Sequence, residues 1–140
     1  MNPMSDRDER AADAQRRVEM GQQAARREAQ AAQVLIDEFV ATALANGPAP
    51  VPLKATTLDG HVVKTDKTGW YLRQNHSVAI DVDGGYHTLT VPGGWMERFR
   101  GVKLPGTQPS LEVGRGGRDG ETGYLREFLA WVLAGRVAQD

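Results

Sequence analysis

The chain has 140 residues, which is the usual size of one domain and is long enough to bury a hydrophobic core. Its formal net charge is -1 and its pI is near 6.3, so no overall field draws it toward nucleic acid or an anionic membrane. It contains no cysteine, which excludes disulfides, thiolate metal ligands and cysteine nucleophiles.

The opening residues, MNPMSDRDER, mix acidic and basic side chains and lead into no apolar stretch. We therefore expect neither a secretory signal nor a membrane span. This pattern predicts a cytoplasmic protein.

Residues 1–33 predict a polar helical arm. They are rich in Ala, Arg, Glu and Gln, which favour the helix, and the pattern fits one long helix or two helices broken near Gly21. The apolar positions are almost all alanine, with Val18 and Met20 as the exceptions. Because such a helix buries little area, we expect it to be frayed or partly disordered when alone.

A coiled coil is weakly indicated in this arm. One set of heptad positions consists of Ala11, Val18, Ala25, Ala32 and Phe39, and the other consists of Ala14, Gly21, Glu28 and Leu35. The second set is a poor hydrophobic seam. The favoured interpretation is a solvated charged helix, and the alternative is a helix that self-associates or binds another protein.

Residues 34–140 predict a single α+β domain. From Val34 onward a broad apolar stripe at helical spacing predicts that the end of the first helix packs on this domain. The stretch Asn46-Gly47-Pro48 predicts the helix end, since proline cannot continue a helix.

Between Leu53 and Val91 the apolar residues recur at every second position instead of at helical spacing, which predicts an antiparallel meander of strands. Asp59-Gly60 and Asp83-Gly84 predict tight hairpin turns, and residues 66–69 predict another turn. With a last short strand at Ser110–Val113, we expect five to seven short strands. A PH-like roll is a further possibility by fold analogy.

An amphipathic helix from Glu121 to Leu133 is predicted at the C-terminal end. Leu125, Phe128, Leu129 and Val132 form its apolar stripe. Gly135 is its expected stop.

A loop rich in glycine and arginine, residues 114–120, precedes this helix. Backbone N–H groups of such a loop can point at one anion, and arginines add charge-assisted contacts. The loop therefore supports the hypothesis of a small-anion or nucleotide-phosphate site formed by Arg115, Gly116, Gly117 and Arg118. The pattern matches neither GxGxxG nor the P-loop, and Asp119 and Glu121 would repel an anion. The alternative is a tight structural loop in which Asp119 or Thr122 caps the helix.

A mixture of aromatic and basic residues indicates a second candidate site. The aromatic residues are Trp70, Tyr71, Tyr86, Trp95 and Phe99, and the possible basic patch consists of Arg98, Arg100 and Lys103. Such mixtures occur in proteins that bind single-stranded nucleic acid. We expect most of these aromatic residues to belong to the core, which makes nucleic-acid binding the less favoured interpretation.

Catalytic and metal-binding residues do not converge in the sequence. The three histidines, His61, His76 and His87, follow no metal-ligand spacing, so we expect neither a metal nor a cofactor. The meander can bring His61 and His87 near Asp81 or Asp83, but spacing does not decide that geometry. Neither Ser77 nor Ser110 lies in a nucleophile elbow. No set of residues predicts an enzyme.

The segments TDKTGWYLRQNHSVAIDVDGGYHTLTVPGG and VGRGGRDGETGYLREFLAWVL resemble a group of uncharacterised small actinobacterial proteins, over residues 35–133. The resemblance implies a lineage and no activity. Together the patterns predict a non-enzymatic protein-interaction or regulatory module whose arm reaches another protein or a second copy. The alternative function is anion binding by the loop at residues 114–120.

Overall fold

The computed structural model describes residues 3–93, 100–114 and 122–140. A long N-terminal helix, a mostly antiparallel sheet of five strands and a short C-terminal helix confirm the predicted α+β fold. The helices whose bounds lie within these ranges are α1 (Pro3–Asn46) and α2 (Leu125–Leu133). The strands are β1 (Val51–Thr57), β2 (Val62–Tyr71), β3 (Val78–Asp81), β4 (Tyr86–Thr88), β5 (Thr90–Val91), β6 (Glu112–Val113) and β7 (Gly123–Tyr124).

Helix α1 is continuous over 44 residues. At 1.5 Å per residue it is about 66 Å long. Gly21 does not interrupt it, so of the two predicted arrangements the single helix is the one formed. It ends at Asn46, where the N–H of Gly47 still donates to the carbonyl of Ala43 at 2.9 Å.

Strand β2 contains the residues where a turn was predicted. Residues 66–69 remain extended, and the pairing of β1 with β2 shifts register between Pro52 and Lys54 instead. The Thr65 hydroxyl donates to the carbonyl of Leu53 at 2.7 Å and accepts the N–H of Lys67 at 3.2 Å. The prediction of a turn was wrong because a bulge satisfied by a side chain accommodates these polar residues within one strand.

The five-stranded sheet has the order β4-β3-β2-β1-β5, so consecutive strands β4 and β5 lie at opposite edges. Only Leu89 separates them along the chain, and two residues span at most about 7 Å. The N–H of Leu89 donates to the carbonyl of Ser77, just before β3, at 2.9 Å. The carbonyl of Leu89 accepts the N–H of Thr56 of β1 at 2.7 Å. The sheet therefore curls until its edges meet, and we call it the curled sheet.

Strand β5 departs from the predicted meander because it pairs with β1 in parallel. Strands β1 to β4 pair antiparallel in chain order, as predicted. The turns at Asp59-Gly60 and Asp83-Gly84 form, with positive φ at Gly60 (88°) and Gly84 (89°).

Curling gives the sheet two hydrophobic cores, one on each face. The first cluster of buried side chains comprises Leu53, Ala55, Val63, Tyr71, Ala79, Leu89, Val91 and Leu104. The second joins the alternate sheet positions to both helices and includes Phe39, Trp70, Leu72, Ile80 and Leu125. All four residues of β3 are consequently buried.

Helix α2 begins four residues later than predicted. Strand β7 pairs with β6 and holds the chain extended through Tyr124, which is the N-cap residue and makes no side-chain cap bond. The N–H of Leu125 donates instead to the carbonyl of Leu111 at 2.7 Å. A cap by Thr122 was therefore a wrong prediction, and Asp119 lies outside the described residues. The predicted stop is confirmed, since Gly135 has φ 73°.

Candidate functional site

The first part of α1 projects from the rest of the protein. We define the arm as residues 5–27, in which every side chain is exposed except that of Asp6, which is half-buried. Its side chains bond mainly within the helix: Asp13 pairs with Arg16, and Gln15 donates to Glu19 at 3.4 Å. The arm contributes about 35 Å of the helix. It is therefore a large surface that contributes little to the fold.

The remainder of α1, residues 28–46, is the anchor of the arm. Its first contact is Glu28, whose carboxylate accepts the Ser110 hydroxyl at 3.0 Å and the N–H of Leu111 at 3.2 Å. Further along, the Gln33 amide donates to the carbonyl of Gly84 at 2.9 Å. The buried side chains of the anchor are Ala32, Ile36, Phe39, Val40 and Ala43. Because one helix contains both parts, the anchor sets the direction of the arm.

The residues of the predicted anion loop, Arg115, Gly116, Gly117 and Arg118, lie outside the described residues. The same is true of Arg98, Trp95 and Phe99. Of the predicted aromatic residues that are described, Trp70, Tyr71 and Tyr86 are buried, so they offer no stacking surface.

The two described members of the possible basic patch, Arg100 and Lys103, are exposed. A carboxylate lies beside them: Asp66 accepts the N–H of Leu104 at 2.8 Å and pairs with Lys67 at 3.5 Å. The bond from Leu104 is the largest cause that lowers the pKa of Asp66. This surface therefore carries mixed charge.

Asp81 and His87 form a buried pair at the β3–β4 hairpin. The Asp81 Oδ2 and His87 Nε2 atoms are 2.6 Å apart, with side chains only 8% and 2% exposed. The second ring nitrogen, Nδ1, lies 2.9 Å from the carbonyl of Pro105, which can only accept, so Nδ1 donates. With Asp81 ionised, Nε2 donates as well, and the pair is an imidazolium–carboxylate ion pair.

The other oxygen of Asp81 holds the hairpin turn. Oδ1 accepts the N–H groups of Asp83 at 2.8 Å and Gly85 at 2.9 Å. Burial alone would raise the pKa of Asp81, but the bonds from His87, Gly85 and Asp83 outweigh it and lower that pKa. A Cβ at Gly85 would lie 2.3 Å from Oδ2, so this glycine covers the pair closely. The pair is suited to stabilising the hairpin and is closed to a substrate.

A cavity of about 280 Å³ lies between the end of β2, α2 and the C-terminal tail. It is lined by Leu72, Arg73, Gln74, Thr122, Phe128, Trp131, Arg136 and Val137. The rings of Phe128 and Trp131 meet edge to face at 5.1 Å, and Trp131 is 37% exposed. Among these described lining residues there are two arginines and no carboxylate. Arg73 and Arg136 are far apart along the chain, and it is the folded position of the C-terminal tail that places them at the same cavity. No local sequence pattern indicates this.

The C-terminal tail is held against the end of β2, beyond the residues that pair with β1, by two hydrogen bonds that we call the clasp. The Gln139 amide accepts the N–H of Tyr71 at 2.7 Å and donates to its carbonyl at 2.9 Å, as a neighbouring strand would. His76 stacks on the Tyr71 ring at 3.8 Å and bonds the carbonyl of Ala138 at 2.8 Å. These contacts assign His76 a structural role.

Comparison with known proteins identifies no relative: no family model, curated protein or solved structure matches the chain. In the ranges that the structure describes, no helix is long and apolar enough to cross a membrane. Those ranges also contain no cluster of three or more His, Asp or Glu side chains arranged to hold a metal ion.

Proposed function

We propose that this protein is a non-enzymatic protein-interaction module and that the arm is its binding element. The observation that carries the proposal is the division of α1 into an anchor buried on the curled sheet and an arm whose side chains face solvent. An exposed helix is costly to form alone, because nucleation is unfavourable and the alanine-rich surface buries little. Its retention as a continuation of a packed helix fits a role in contact with another chain.

The anchor makes the arm a better binding element. The packed turns from Glu28 onward supply the helix nucleus, so each further residue of the arm adds one hydrogen bond without a new nucleation step. A helix that is already formed loses less conformational entropy on binding than a disordered segment. We call the rest of the protein, which contains the anchor and the curled sheet, the body. The body would thus hold a preformed helix toward its binding partner.

The buried side chains of the body support the same interpretation. The described pair with the strongest resemblance to a catalytic dyad, Asp81 and His87, is sealed and fully engaged in holding a turn. General acid–base work requires access to the proton of a substrate. This sealed pair therefore supports a structural role, and not a catalytic one, for the part of the protein that carries it.

Three purified baits test the proposal. They are the full chain, a chain lacking residues 1–24, and a full-length Ala14→Pro/Ala25→Pro variant whose arm cannot remain helical. We expect the full chain alone to retain specific proteins from the native host, or further copies of itself, and the isolated partner to bind it directly. Equal partners and equal oligomeric state for all three baits would refute a binding role of the arm.

A second candidate function is anion binding, and the cavity beside Arg73 and Arg136 favours it. Two guanidinium groups with an adjacent aromatic pair suit a small carboxylate or phosphate compound. Thermal unfolding with phosphate, nucleotides and aromatic carboxylates provides the test, since a ligand at a hundred times its Kd stabilises by about 2.7 kcal/mol.

Matched variants separate the cavity from the predicted loop. Arg136→Ala should abolish a stabilisation that arises in the cavity, and Arg115→Ala/Arg118→Ala should abolish one that arises in the loop. The absence of a shift with any of these anions would exclude this second function for the classes tested.

A further inference from the structure

The two halves of the arm carry opposite net charge. Residues 5–15 contain four carboxylates and two arginines, a net charge of -2, whereas residues 16–27 contain four arginines and one glutamate, a net charge of +3. Apart from the half-buried Asp6, all these charged side chains are exposed. A helix with this distribution is complementary to a copy of itself that runs in the opposite direction.

We propose that the arm pairs with the arm of a second copy of this chain in antiparallel orientation. This inference rests on the proposed function, in which the arm binds protein. Parallel pairing would place acidic halves together and basic halves together, and like charges at close range oppose association. Antiparallel pairing places each acidic half beside the basic half of the other copy.

Small side chains form the face along which the arms would meet. They lie at spacings of three and four residues, which form one stripe on a helix: Ala11, Ala14, Val18, Gly21 and Ala25. The distance between packed helix axes depends on the side chains at the contact, so this stripe permits a close approach. A Cβ placed at Gly21 would meet no atom within 4 Å, so this chain leaves the stripe uncovered there.

One antiparallel register aligns four residues of this stripe with one another. If Ala14 lies opposite Val18 of the second copy, Ala11 lies opposite Gly21. Val18, the largest side chain of the stripe, then meets alanine, which avoids a steric clash between two valines. The close approach at Ala11 gives Gly21 a role, since glycine in an exposed helix is otherwise unfavourable relative to alanine.

The same register agrees with the charges and with the positions of the two bodies. It places Asp6 opposite Arg26, and its midpoint falls at Arg16. Because the two helices run in opposite directions, the two bodies stand at opposite ends of the paired arms. Residues 5–15 of each copy then lie opposite residues 17–27 of the other, so the acidic half faces the basic half along nearly the whole arm.

Cysteine cross-linking tests the orientation in the full-length protein. The chain has no cysteine, so Ala11→Cys and Gly21→Cys each introduce a single thiol on the exposed arm. We expect a mixture of the two variants to form the mixed disulfide dimer rapidly under mild oxidation, with little dimer from either variant alone. Dominant dimer formation by Ala11→Cys alone would show parallel arms and overturn the proposal.

Charge reversal tests the selectivity by sedimentation equilibrium at low salt. Asp8→Arg/Asp13→Arg and Arg17→Glu/Arg26→Glu should each weaken self-association by roughly tenfold or more, and combining all four changes should restore it. Lys103→Glu on the body is the control and should leave association unchanged. Failure of the combined variant to recover would refute antiparallel charge pairing.

A further outcome separates this inference from the proposed function. If the full chain sediments as a monomer at all concentrations at low salt, self-pairing is refuted. Partners bound through the arm in the bait experiment would then still support the interaction module. If the chain is a monomer and the arm also binds no other protein, both the antiparallel pairing and the proposed function are refuted.

Discussion

Replacing His87 with alanine removes the partner of a buried carboxylate. The Asp81 side chain is 8% exposed and lies 2.6 Å from the imidazole, so no water can readily replace the lost donor. Removal of one member of a buried ion pair costs about 3–5 kcal/mol. A domain of this size has a total stability of about 5–15 kcal/mol. We therefore expect His87→Ala to lose a large part of its free energy of unfolding.

Asp81→Asn is the matched variant and should be milder. The new amide oxygen can still accept the N–H groups of Asp83 and Gly85, and the new amide nitrogen can donate to Nε2 of a neutral His87. The Nδ1–H of His87 still donates to the carbonyl of Pro105. Because every hydrogen bond has a replacement, we expect a cost of about 1 kcal/mol.

The pH dependence gives the two proteins different profiles. The folded-state pKa of Asp81 lies below its ordinary value of 3.8, so the contribution of Asp81 is present above pH 3.8 and is lost as pH falls through the lower folded value. Asp81→Asn has no ionisable carboxyl group at this position, so its stability should fall less steeply with acid than that of the parent protein.

Urea unfolding followed by tryptophan fluorescence, repeated from pH 7 to well below the ordinary Asp81 pKa of 3.8, measures all three proteins. The reasoning predicts the order parent, Asp81→Asn, His87→Ala from most to least stable at pH 7. Losses below about 1 kcal/mol for His87→Ala, or equal losses for both variants, would contradict a buried ion pair at this hairpin.

The other predictions concern close packing, the tail and the arm. Gly85→Ala should destabilise by about 1–3 kcal/mol in urea unfolding, because its Cβ would lie 2.3 Å from Asp81, whereas Gly106→Ala meets no atom within 4 Å and should be neutral. Equal losses of stability for Gly85→Ala and Gly106→Ala would show that the hairpin can move to accommodate the added methyl group. Gln139→Ala should cost about 1–3 kcal/mol and speed hydrogen exchange at the Tyr71 amide, and unchanged exchange would exclude the clasp. Deletion of residues 1–24 should leave the unfolding midpoint of the body within error, and a marked decrease would show that the arm packs on it.

Elements with local signals were predictable from the sequence. The apolar stripe from Val34, the glycine turns at Gly60 and Gly84 and the stop at Gly135 each depend on a few neighbouring residues, and all are found. The polar composition of residues 1–33 likewise predicted a surface helix, and the exposed part that is found covers residues 5–27. These features follow from helical periodicity and backbone preference alone.

Features that depend on distant residues were not predictable. Closure of the curled sheet at Leu89 requires β5 to cross to the far edge, and no pattern near Thr90 indicates that partner. The late start of α2 results from pairing with Glu112 on β6. The bulged β2 was read as a turn because polar residues favour both structures.

The candidate sites show the same division. The exposed arm was predicted from composition, whereas the Asp81–His87 pair depends on the geometry across a hairpin. The cavity joins Arg73 to Arg136 through the tail, a contact that separation along the chain conceals.

The most direct test of the central claim is native-state hydrogen exchange along α1, at a concentration where the chain sediments as a monomer. The account predicts weak protection in residues 5–27 and a steep rise between Glu28 and Ile36, where the helix joins the core. Uniformly strong protection from the first turns of the helix would show that those residues are packed on the body, and it would contradict the division into arm and anchor.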